Sequence, residues 1–186
     1  MTKDPKRTGE QPSRKKGKAF PYNIVLIGFM GVGKSSIAAY LHQTLSMDVI
    51  EMDQVIEQQQ QMTISEIFRI HGEEYFRNLE TQLLIDMQSR KNVIISCGGG
   101  VAMRDENVKE MKKNGKVVLL TANPQTILER VKHSEERPLL NGRKNVESIE
   151  KLMEARRAKY EAAADLIVET DGKSVEEIGK EMVEKL

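Results

Sequence analysis

The amino-acid sequence predicts an α/β fold in three layers, with a parallel sheet of about five strands and helices on both faces. Short apolar runs rich in β-branched residues recur without polar alternation, as in strands that are buried on both faces. Segments with helical spacing of apolar residues separate these runs, so a helix links each strand to the next. A glycine-rich stretch, residues 28–35, lies directly between the first predicted strand and the helix that follows it.

Composition predicts one domain, residues 20–186, behind a tail of different character. Residues 1–19 hold seven Lys and Arg against two acids and almost nothing apolar, which predicts a disordered basic tail. The chain has no apolar run of membrane-spanning length and no Trp, so we expect neither a membrane nor a nucleic-acid partner. With the lone Cys97 and no apolar leader, we expect a cytoplasmic protein, and we expect a monomer.

Five compact runs predict the strands. Four of them are apolar throughout, and 48–51 has two apolar residues between two acids; each ends at glycine, acidic or other polar residues that break the run. Their short length suits strands rather than buried helices. The predicted strands are 24–27, 48–51, 93–95, 117–120 and 166–168.

The substrate-side helices, about 53–90, have recognisable starting residues. Asp53 is a candidate N-cap for one helix. Thr63 and Glu66 form a capping box for a short helix that should end near Gly72. Apolar residues spaced by three and four then predict a longer helix over about 73–90.

The second half of the chain continues the alternation of helix and strand. A polar stretch broken by Pro138 and Gly142 interrupts it, and this stretch predicts a mobile lid over about 132–144. Pro124 suits the first turn of the helix before the lid. The other predicted helices are 106–113, 146–163 and 175–186.

The stretch Gly28-Phe29-Met30-Gly31-Val32-Gly33-Lys34-Ser35, here called the phosphate loop, predicts a nucleoside triphosphate site. Glycine permits the tightly curved backbone whose N–H groups surround phosphate oxygens. Lys34 would reach the β- and γ-phosphates, and Ser35 would ligate Mg²⁺. The helix that begins near Lys34 would direct its positive end at the anion. The predicted nucleotide contacts are Gly31, Val32, Gly33, Lys34, Ser35 and Ser36.

Polar residues and glycines also follow the second and third predicted strands. Glu51 and Asp53 are two apart, so an extended segment would direct both carboxylates to one face, suited to Mg²⁺ and to orienting a hydroxyl. Each also has a plain explanation, a solvated charge for Glu51 and an N-cap for Asp53. Gly98-Gly99-Gly100 gives room for a ligand at the backbone, or forms a flexible turn.

These motifs together resemble the shikimate kinase family, small P-loop kinases of the nucleoside-monophosphate-kinase-like group. The resemblance runs from about Tyr22 to near the C-terminus. It implies a P-loop kinase fold with a mobile lid. The motifs that carry it are the phosphate loop, Glu51-Met52-Asp53, Phe76-Arg77-Asn78-Leu79-Glu80, Ser96-Cys97-Gly98-Gly99-Gly100, Arg137-Pro138-Leu139-Leu140, and Arg156 four residues before Tyr160.

The resemblance implies transfer of the γ-phosphoryl group of ATP to the 3-hydroxyl of shikimate, giving shikimate 3-phosphate and ADP. It implies that Asp53 binds the hydroxyls and accepts a proton, and that Arg77 and Arg156 clamp the carboxylate. Taken alone, each arginine is better explained as an ordinary surface charge. The backbone of Gly98, Gly99 and Gly100 would line the shikimate pocket.

The same resemblance implies further roles on the nucleotide side. Arg137 on the lid would cover the transferring phosphoryl group, and Arg130 would stack on adenine. Mg²⁺ would be the cofactor, held by Ser35 and, through water, by Glu51. The family usually has aspartate at the position of Glu51, which is the main departure from its pattern.

Two other functions remain open on the sequence. A related P-loop kinase could act on another small hydroxy acid such as gluconate. Alternatively, the chain could be a regulatory protein that binds nucleotide without transferring phosphate.

Overall fold

The computed structural model describes residues 20–132 and 145–186. The predicted basic tail at 1–19 and most of the predicted lid, including Arg137, lie outside the described residues. Five strands form one sheet in the order β2-β3-β1-β4-β5, and every neighbouring pair is parallel. The strands are β1 (Asn23–Ile27), β2 (Asp48–Glu51), β3 (Val93–Ser96), β4 (Gly115–Thr121) and β5 (Leu166–Glu169).

Helices cover both faces of this sheet and connect its strands. Two of the longer helices pack against loops at the carboxyl ends of the strands, where they shape the cleft described below. The described helices are α1 (Lys34–Leu45), α2 (Met52–Gln60), α3 (Ile64–Asp86), α4 (Asp105–Asn114), α5 (Pro124–Val131), α6 (Val146–Ala163) and α7 (Val175–Lys185). Short 3₁₀ turns follow α3 at Met87–Ser89 and precede α4 at Val101–Met103.

The central strands alternate their side chains between two apolar clusters. In β1, Ile24 and Leu26 belong to one cluster, while Val25 and Ile27 belong to the other. This division follows from the two-residue period of a strand, and it explains why the runs read as apolar throughout. The predicted three-layer α/β fold with about five parallel strands is confirmed.

Helix α3 consists of two helical segments that meet at a kink. The capping box of Thr63 and Glu66 opens it, as predicted. Gly72 stands in the middle with φ 84° and ψ 172°, a conformation that side-chain-bearing residues rarely adopt. The predicted boundary near Gly72 is therefore confirmed, and the second segment ends at Asp86, four residues earlier than predicted.

The helix after β2 begins two residues earlier than an N-cap at Asp53 predicts. Glu51 is the N-cap of α2, without a side-chain hydrogen bond, and Asp53 lies in the first turn. The prediction that Asp53 caps this helix was therefore wrong. The expectation that Glu51 and Asp53 share one face of an extended segment was also wrong, because the strand ends at Glu51 and the helix starts immediately. Asp53 lies outside the strand, so the alternation of side chains in a strand does not apply to it.

Candidate active site

The sheet order places the three chemically distinctive strand ends beside one another. β1 leads into the phosphate loop, β3 into the triple glycine, and β2 into the acids at 51 and 53, and these strands are neighbours. The carboxyl ends of parallel strands lie at the same sheet edge, so the segments converge there. A cleft of about 1060 Å³ opens at this edge and is lined by all three.

The phosphate loop has the backbone that its glycines require. Gly31 and Gly33 have φ values of 77° and 105°, in the left-handed region. Helix α1 begins directly at Lys34, and its N-cap is Gly33, which offers no capping side chain. The first-turn N–H groups and the positive helix end therefore face the loop, as an anion site needs.

Lys34 reaches back across this loop. Its ammonium nitrogen donates hydrogen bonds to the carbonyl oxygens of Gly28 and Phe29, at 2.9 and 3.1 Å. The positive charge is thereby held at the loop, where phosphate oxygens would accumulate. Ser35 and Ser36 follow on α1 and line the cleft with exposed side chains, as the sequence predicts for nucleotide contacts.

Arg130 lies at the nucleotide end of the cleft. Its Nη1 donates to the carbonyl oxygen of Val32 at 3.0 Å and to Oγ1 of Thr170 at 3.1 Å. It thus joins the last turn of α5 to the phosphate loop and to the residue after β5. This position suits a contact with the base or ribose of a nucleotide, while Lys173 also lines the same end.

The acceptor end of the cleft holds two acids that converge on Gly98. A Cβ atom added to Gly98 would lie 2.7 Å from Oδ1 of Asp53 and 3.1 Å from Oε1 of Glu80. Both oxygens are buried and have no hydrogen-bond partner among the described residues. A side chain at position 98 would therefore displace one or both of these carboxylates.

Burial shifts the protonation equilibria of both acids. It raises the pKa of Asp53, an effect that the nearby Lys34 charge opposes. Burial also raises the pKa of Glu80 to about 7, against the opposing influence of Arg77. Perturbed carboxylates that face a cleft are typical of sites that handle protons or charged ligands.

Arg77 extends from α3 to the triple glycine. Its Nη1 donates to Oε2 of Glu80 at 2.8 Å, and its Nη2 donates to Oε1 of Glu73 at 2.9 Å. Phe76 lies under the guanidinium, whose carbon is 5.4 Å from the ring centroid. A Cβ on Gly100 would lie 2.6 Å from Nη2, so the glycine loop runs directly against the guanidinium group.

Arg156 approaches the same loop from a different helix, α6. Its Nη1 donates to the carbonyl oxygen of Gly99 at 3.3 Å, and its guanidinium carbon is 5.8 Å from the Phe29 ring centroid. Tyr160, one turn later, donates its hydroxyl to the same Gly99 oxygen. Two guanidinium groups therefore flank Gly98–Gly100, the arrangement that would grip a carboxylate between them.

A buried hydrogen-bond chain secures Arg77 against the glycine loop. The Thr81 hydroxyl lies 3.0 Å from the Arg77 carbonyl oxygen and 2.7 Å from Oδ1 of Asn107. Asn107 in turn donates to the carbonyl oxygen of Val101, directly after the triple glycine. This chain was not predicted, because a threonine and an asparagine 26 residues apart give no local signal.

Glu80 was named on the sequence only as a member of a motif. A signal for it did exist, since Glu80 falls on the face of α3 that carries Phe76 and Leu83, both of which are buried. An acid on a buried helical stripe indicates a specific partner or a ligand. The structure shows this acid to be fully buried and turned toward the cleft.

Cys97 is a core residue and no part of this chemistry. It is 2% exposed, and its sulfur lies 4.0 Å from that of Met111. Burial raises the pKa of its thiol well above the usual range, so the reactive thiolate is suppressed. Cys97 is therefore an inert small side chain of the core.

Comparison with known proteins identifies the family. A family model for shikimate kinase matches residues 30–186. The chain belongs to the shikimate kinase family. A shikimate kinase of Thermodesulfovibrio yellowstonii is 40% identical over 163 residues, 88% of this chain and 94% of the relative. One from Bacillus cereus is 42% identical over 164 residues, 88% of this chain and 98% of the relative.

Solved structures agree. The shikimate kinase of Acinetobacter baumannii in complex with shikimate superposes with a TM-score of 0.83 at 29% identity, covering 88% of this chain and 92% of the other. A gluconokinase from Sinorhizobium meliloti reaches a TM-score of 0.56 at 19% identity, covering 88% and 90%, which shows a shared fold alone. Family membership confirms the predicted enzyme class, ATP-dependent phosphorylation of shikimate.

Two further observations concern membrane-spanning helices and metal ions. Within residues 20–132 and 145–186, no helix combines the length and apolar character needed to cross a bilayer. In the same residues no three His, Cys, Asp or Glu side chains are grouped so as to hold a metal ion.

Proposed function

We propose that the phosphate loop and the acids facing Gly98 are the two halves of one active site, which transfers the γ-phosphoryl group of ATP to the 3-hydroxyl of shikimate. The observation that carries this proposal is the buried Oδ1 of Asp53, unpartnered among the described residues and facing the cleft that the phosphate loop also lines. That oxygen is placed to accept the proton of an attacking hydroxyl.

On the donor side, positioning and charge do most of the work. The backbone N–H groups of Gly31, Val32 and Gly33 surround the phosphates, and Lys34 turns from its carbonyl partners toward the β- and γ-phosphates. Fixed donors of this kind stabilise charge that develops in the transition state without having to reorganise. Arg130 contacts the adenine, and Arg137 supplies a further positive charge over the transferring group.

On the acceptor side, Arg77 and Arg156 grip the carboxylate of shikimate, and the backbone of Gly98, Gly99 and Gly100 lines the pocket. The planar fork of arginine binds a carboxylate through two parallel hydrogen bonds. Two such forks at one loop would fix a small rigid acid in both position and orientation. The hydroxyl is then held in line with the phosphoryl group, which supplies much of the rate.

Mg²⁺ is the cofactor in this proposal. The hydroxyl of Ser35 and the carboxylate of Glu51 are hard oxygen donors that line the cleft. Mg²⁺ typically keeps several waters and binds through few protein groups plus substrate phosphates. Two protein oxygens near the phosphate loop fit that pattern, with Glu51 acting through water.

We further propose that the protein works as a cytoplasmic monomer without a nucleic-acid partner. The lone buried cysteine and the dependence on ATP support a reducing, ATP-containing compartment. The cleft is formed by elements of one chain, so the site needs no second copy.

A coupled ADP-release assay with a panel of hydroxy acids tests the proposal. We expect turnover with shikimate and none with gluconate; the reverse result would overturn the choice of acceptor. Asp53→Asn should lower kcat by about 10²- to 10⁴-fold and leave ATP binding unchanged.

Asp48→Asn is the matched control, because Asp48 is exposed at the start of β2, the strand that directly precedes α2 and Asp53. It should retain full turnover. Binding of ATP by the unsubstituted protein, with no shikimate 3-phosphate formed, would favour the regulatory alternative instead.

A further inference from the structure

Two buried neutral side chains, Thr81 and Asn107, join the helix of Arg77 to the loop that contains the triple glycine. Asn107 on α4 is fully buried, and Thr81 on α3 is 8% exposed. The Thr81 hydroxyl lies 2.7 Å from Oδ1 of Asn107, whose Nδ2 donates to the carbonyl oxygen of Val101 at 2.9 Å. Neither side chain is among the described residues that line the cleft, so direct contact with a substrate does not explain them.

The hydrogen bonds of this link have a defined direction. Because Nδ2 of Asn107 donates to Val101, the amide oxygen is turned toward Thr81. The single hydroxyl proton of Thr81 has two acceptors in reach, this oxygen at 2.7 Å and the carbonyl oxygen of Arg77 at 3.0 Å. The Arg77 carbonyl already accepts the backbone N–H four residues later in α3, whereas the buried amide oxygen needs the hydroxyl. The link therefore runs from Thr81 through Asn107 to Val101.

The two ends of the link lie beside the two partners of one close contact. Thr81 follows Arg77 by one helical turn, and Val101 directly follows Gly100. A Cβ atom on Gly100 would lie 2.6 Å from Nη2 of Arg77, so the guanidinium group lies directly against the loop. The backbone N–H of Val101 also donates to the carbonyl oxygen of Gly98 at 3.2 Å, so the loop and the following turn form one unit. A displacement of Val101 relative to α3 would therefore move the loop relative to Arg77.

Stability alone does not call for a polar pair at these positions. The other buried residue of α4 is the apolar Met111, and an aliphatic pair in place of Thr81 and Asn107 would fill the same space. A buried neutral hydrogen bond adds little net stability, whereas loss of one partner leaves the other costly and unpaired. What the polar pair adds is direction, because a satisfied buried network permits one arrangement of the elements that it joins.

A second link between the same elements is exposed to water. Arg104, which follows the turn at Val101–Met103, donates to Oδ1 of Asn78 at 2.8 Å and to Oε1 of Glu74 at 2.7 Å. The side chain of Glu74 is 82% exposed, so solvent and salt weaken this ion pair. The link through Asn107 is shielded from both, and it is the one that can fix the loop against α3.

We propose that Thr81 and Asn107 are positioning residues for the acceptor: they fix the triple-glycine loop against α3 and thereby hold Arg77 at the angle that binds the carboxylate of shikimate. This inference rests on the proposed function, because it assigns Arg77 to that carboxylate. The two side chains act through Arg77 and the loop without touching the substrate. The donor end of the cleft is built from other elements, so loss of the link should impair the acceptor and spare ATP.

Thr81→Val tests the link with little change in shape. It removes the proton that Asn107 accepts, and we expect the KM for shikimate to rise about fivefold with the KM for ATP unchanged. Thr81→Ser keeps the hydroxyl and should restore the affinity for shikimate. Thr44→Val is the matched control, because its hydroxyl also bonds a carbonyl oxygen four residues earlier, that of Tyr40, but on the exposed end of α1. It should retain both KM values.

Asn107→Leu removes both hydrogen bonds of the amide at similar volume. We expect the KM for shikimate to rise by about tenfold, again without an effect on ATP. Asn23→Leu is the matched control, because Asn23 is 3% exposed and its amide also makes two backbone hydrogen bonds, to the carbonyl oxygen of Arg90 and from the N–H of Val93. It should lower the melting temperature as Asn107→Leu does and leave both KM values unchanged. Equal rises of both KM values in Thr81→Val or Asn107→Leu would indicate general loosening and contradict the proposal.

A double-mutant cycle shows whether the link acts through Arg77. The ammonium group of a lysine needs no fixed angle, so Thr81→Val in an Arg77→Lys background should change the KM for shikimate by less than about twofold. If the two substitutions instead multiplied their separate effects on this KM, the link would act independently of Arg77 and the proposal would be wrong. This comparison uses variants that keep the size or charge of the side chain and does not depend on the folding of Asn107→Leu.

The outcomes separate this inference from the proposed function. Absence of turnover with shikimate in the unsubstituted protein would count against the proposed function itself. Turnover with an unchanged KM for shikimate in Thr81→Val would leave that function standing and remove only the positioning role of Thr81 and Asn107.

Discussion

The two ends of the cleft are built on opposite principles. At the donor end, consecutive residues present backbone N–H groups, and Lys34 is hydrogen-bonded to carbonyl oxygens of its own loop. At the acceptor end, Asp53 of α2 and Glu80 of α3 each direct a carboxylate oxygen toward Gly98, in the loop after β3. Neither oxygen has a hydrogen-bond partner among the described residues. The donor end is therefore encoded by local sequence, whereas the acceptor end depends on tertiary contacts and has two carboxylate oxygens without a hydrogen-bond partner among the described residues.

After Asp53→Asn, the largest effect should come from the donor end. Lys34→Met removes the charge at the β- and γ-phosphates, and we expect kcat/KM to fall by about 10²- to 10³-fold. Circular dichroism and thermal melting should show a folded protein, because the loop conformation rests on its glycines. Substantial residual turnover would contradict the role of Lys34 in transfer.

Glycine substitutions at the two ends of the cleft should affect different substrates. In Gly98→Ala the new methyl group meets Asp53 and Glu80, so kcat/KM for shikimate should fall by about 10²-fold while ATP binding is retained. Gly33→Ala meets nothing within 4 Å but strains a φ of 105°, so it should weaken ATP binding. If both variants impaired the two substrates equally, the ends would not be independent.

A substitution that keeps the positive charge tests whether Arg77 clamps the carboxylate of shikimate. Arg77→Lys loses the fork, and we expect the KM for shikimate to rise by about tenfold with the KM for ATP unchanged. Arg157→Lys is the matched control, since Arg157 pairs with Glu154 on the exposed side of α6. Steady-state kinetics with each substrate varied in turn would reveal an equal loss in both, which would argue against a clamp.

The smallest effect concerns stability. The pKa of Glu80 is raised above its ordinary value in the folded state, so the folded protein binds more protons than the unfolded chain as the pH rises through about 4.5 to 7. Ionised Glu80 therefore costs stability above that window.

Glu80→Gln tests this cost because it cannot ionise. Its melting temperature relative to the unsubstituted protein should rise by about 5 °C between pH 5 and pH 8. Glu73→Gln, at an exposed position, should show no such trend. A melting difference for Glu80→Gln that does not change with pH would mean that burial of this charge carries no cost.

Local signals predicted much of the fold and the donor end. The β-branched runs, the capping box at Thr63 and the break at Gly72 depend on interactions within a few residues, and the structure contains each of them. The phosphate loop is likewise a property of eight consecutive residues. Such features can be recognised because their physical cause lies inside the segment.

The predictions from sequence were wrong or incomplete where tertiary contacts decide the role of a residue. Asp53 is a residue type that favours the N-cap position, yet the N-cap of α2 is Glu51. The carboxylate of Asp53 faces the cleft instead. Glu80 lies on an apolar helical stripe, and only the packing of α2 and the triple glycine against α3 shows what it faces. The Thr81–Asn107 chain joins positions that have no local relation in sequence.

The sequence by itself determined the order of strands and helices, the phosphate loop and the family, because these depend on local periodicity, local turns and motifs of short spacing. Tertiary structure alone decided which acids meet at Gly98, which partners hold Arg77 and Arg156, and how strongly burial perturbs Glu80. The physical reason is that desolvation and charge coupling depend on everything within a few ångströms of a group, and in this protein those neighbours come from distant parts of the chain.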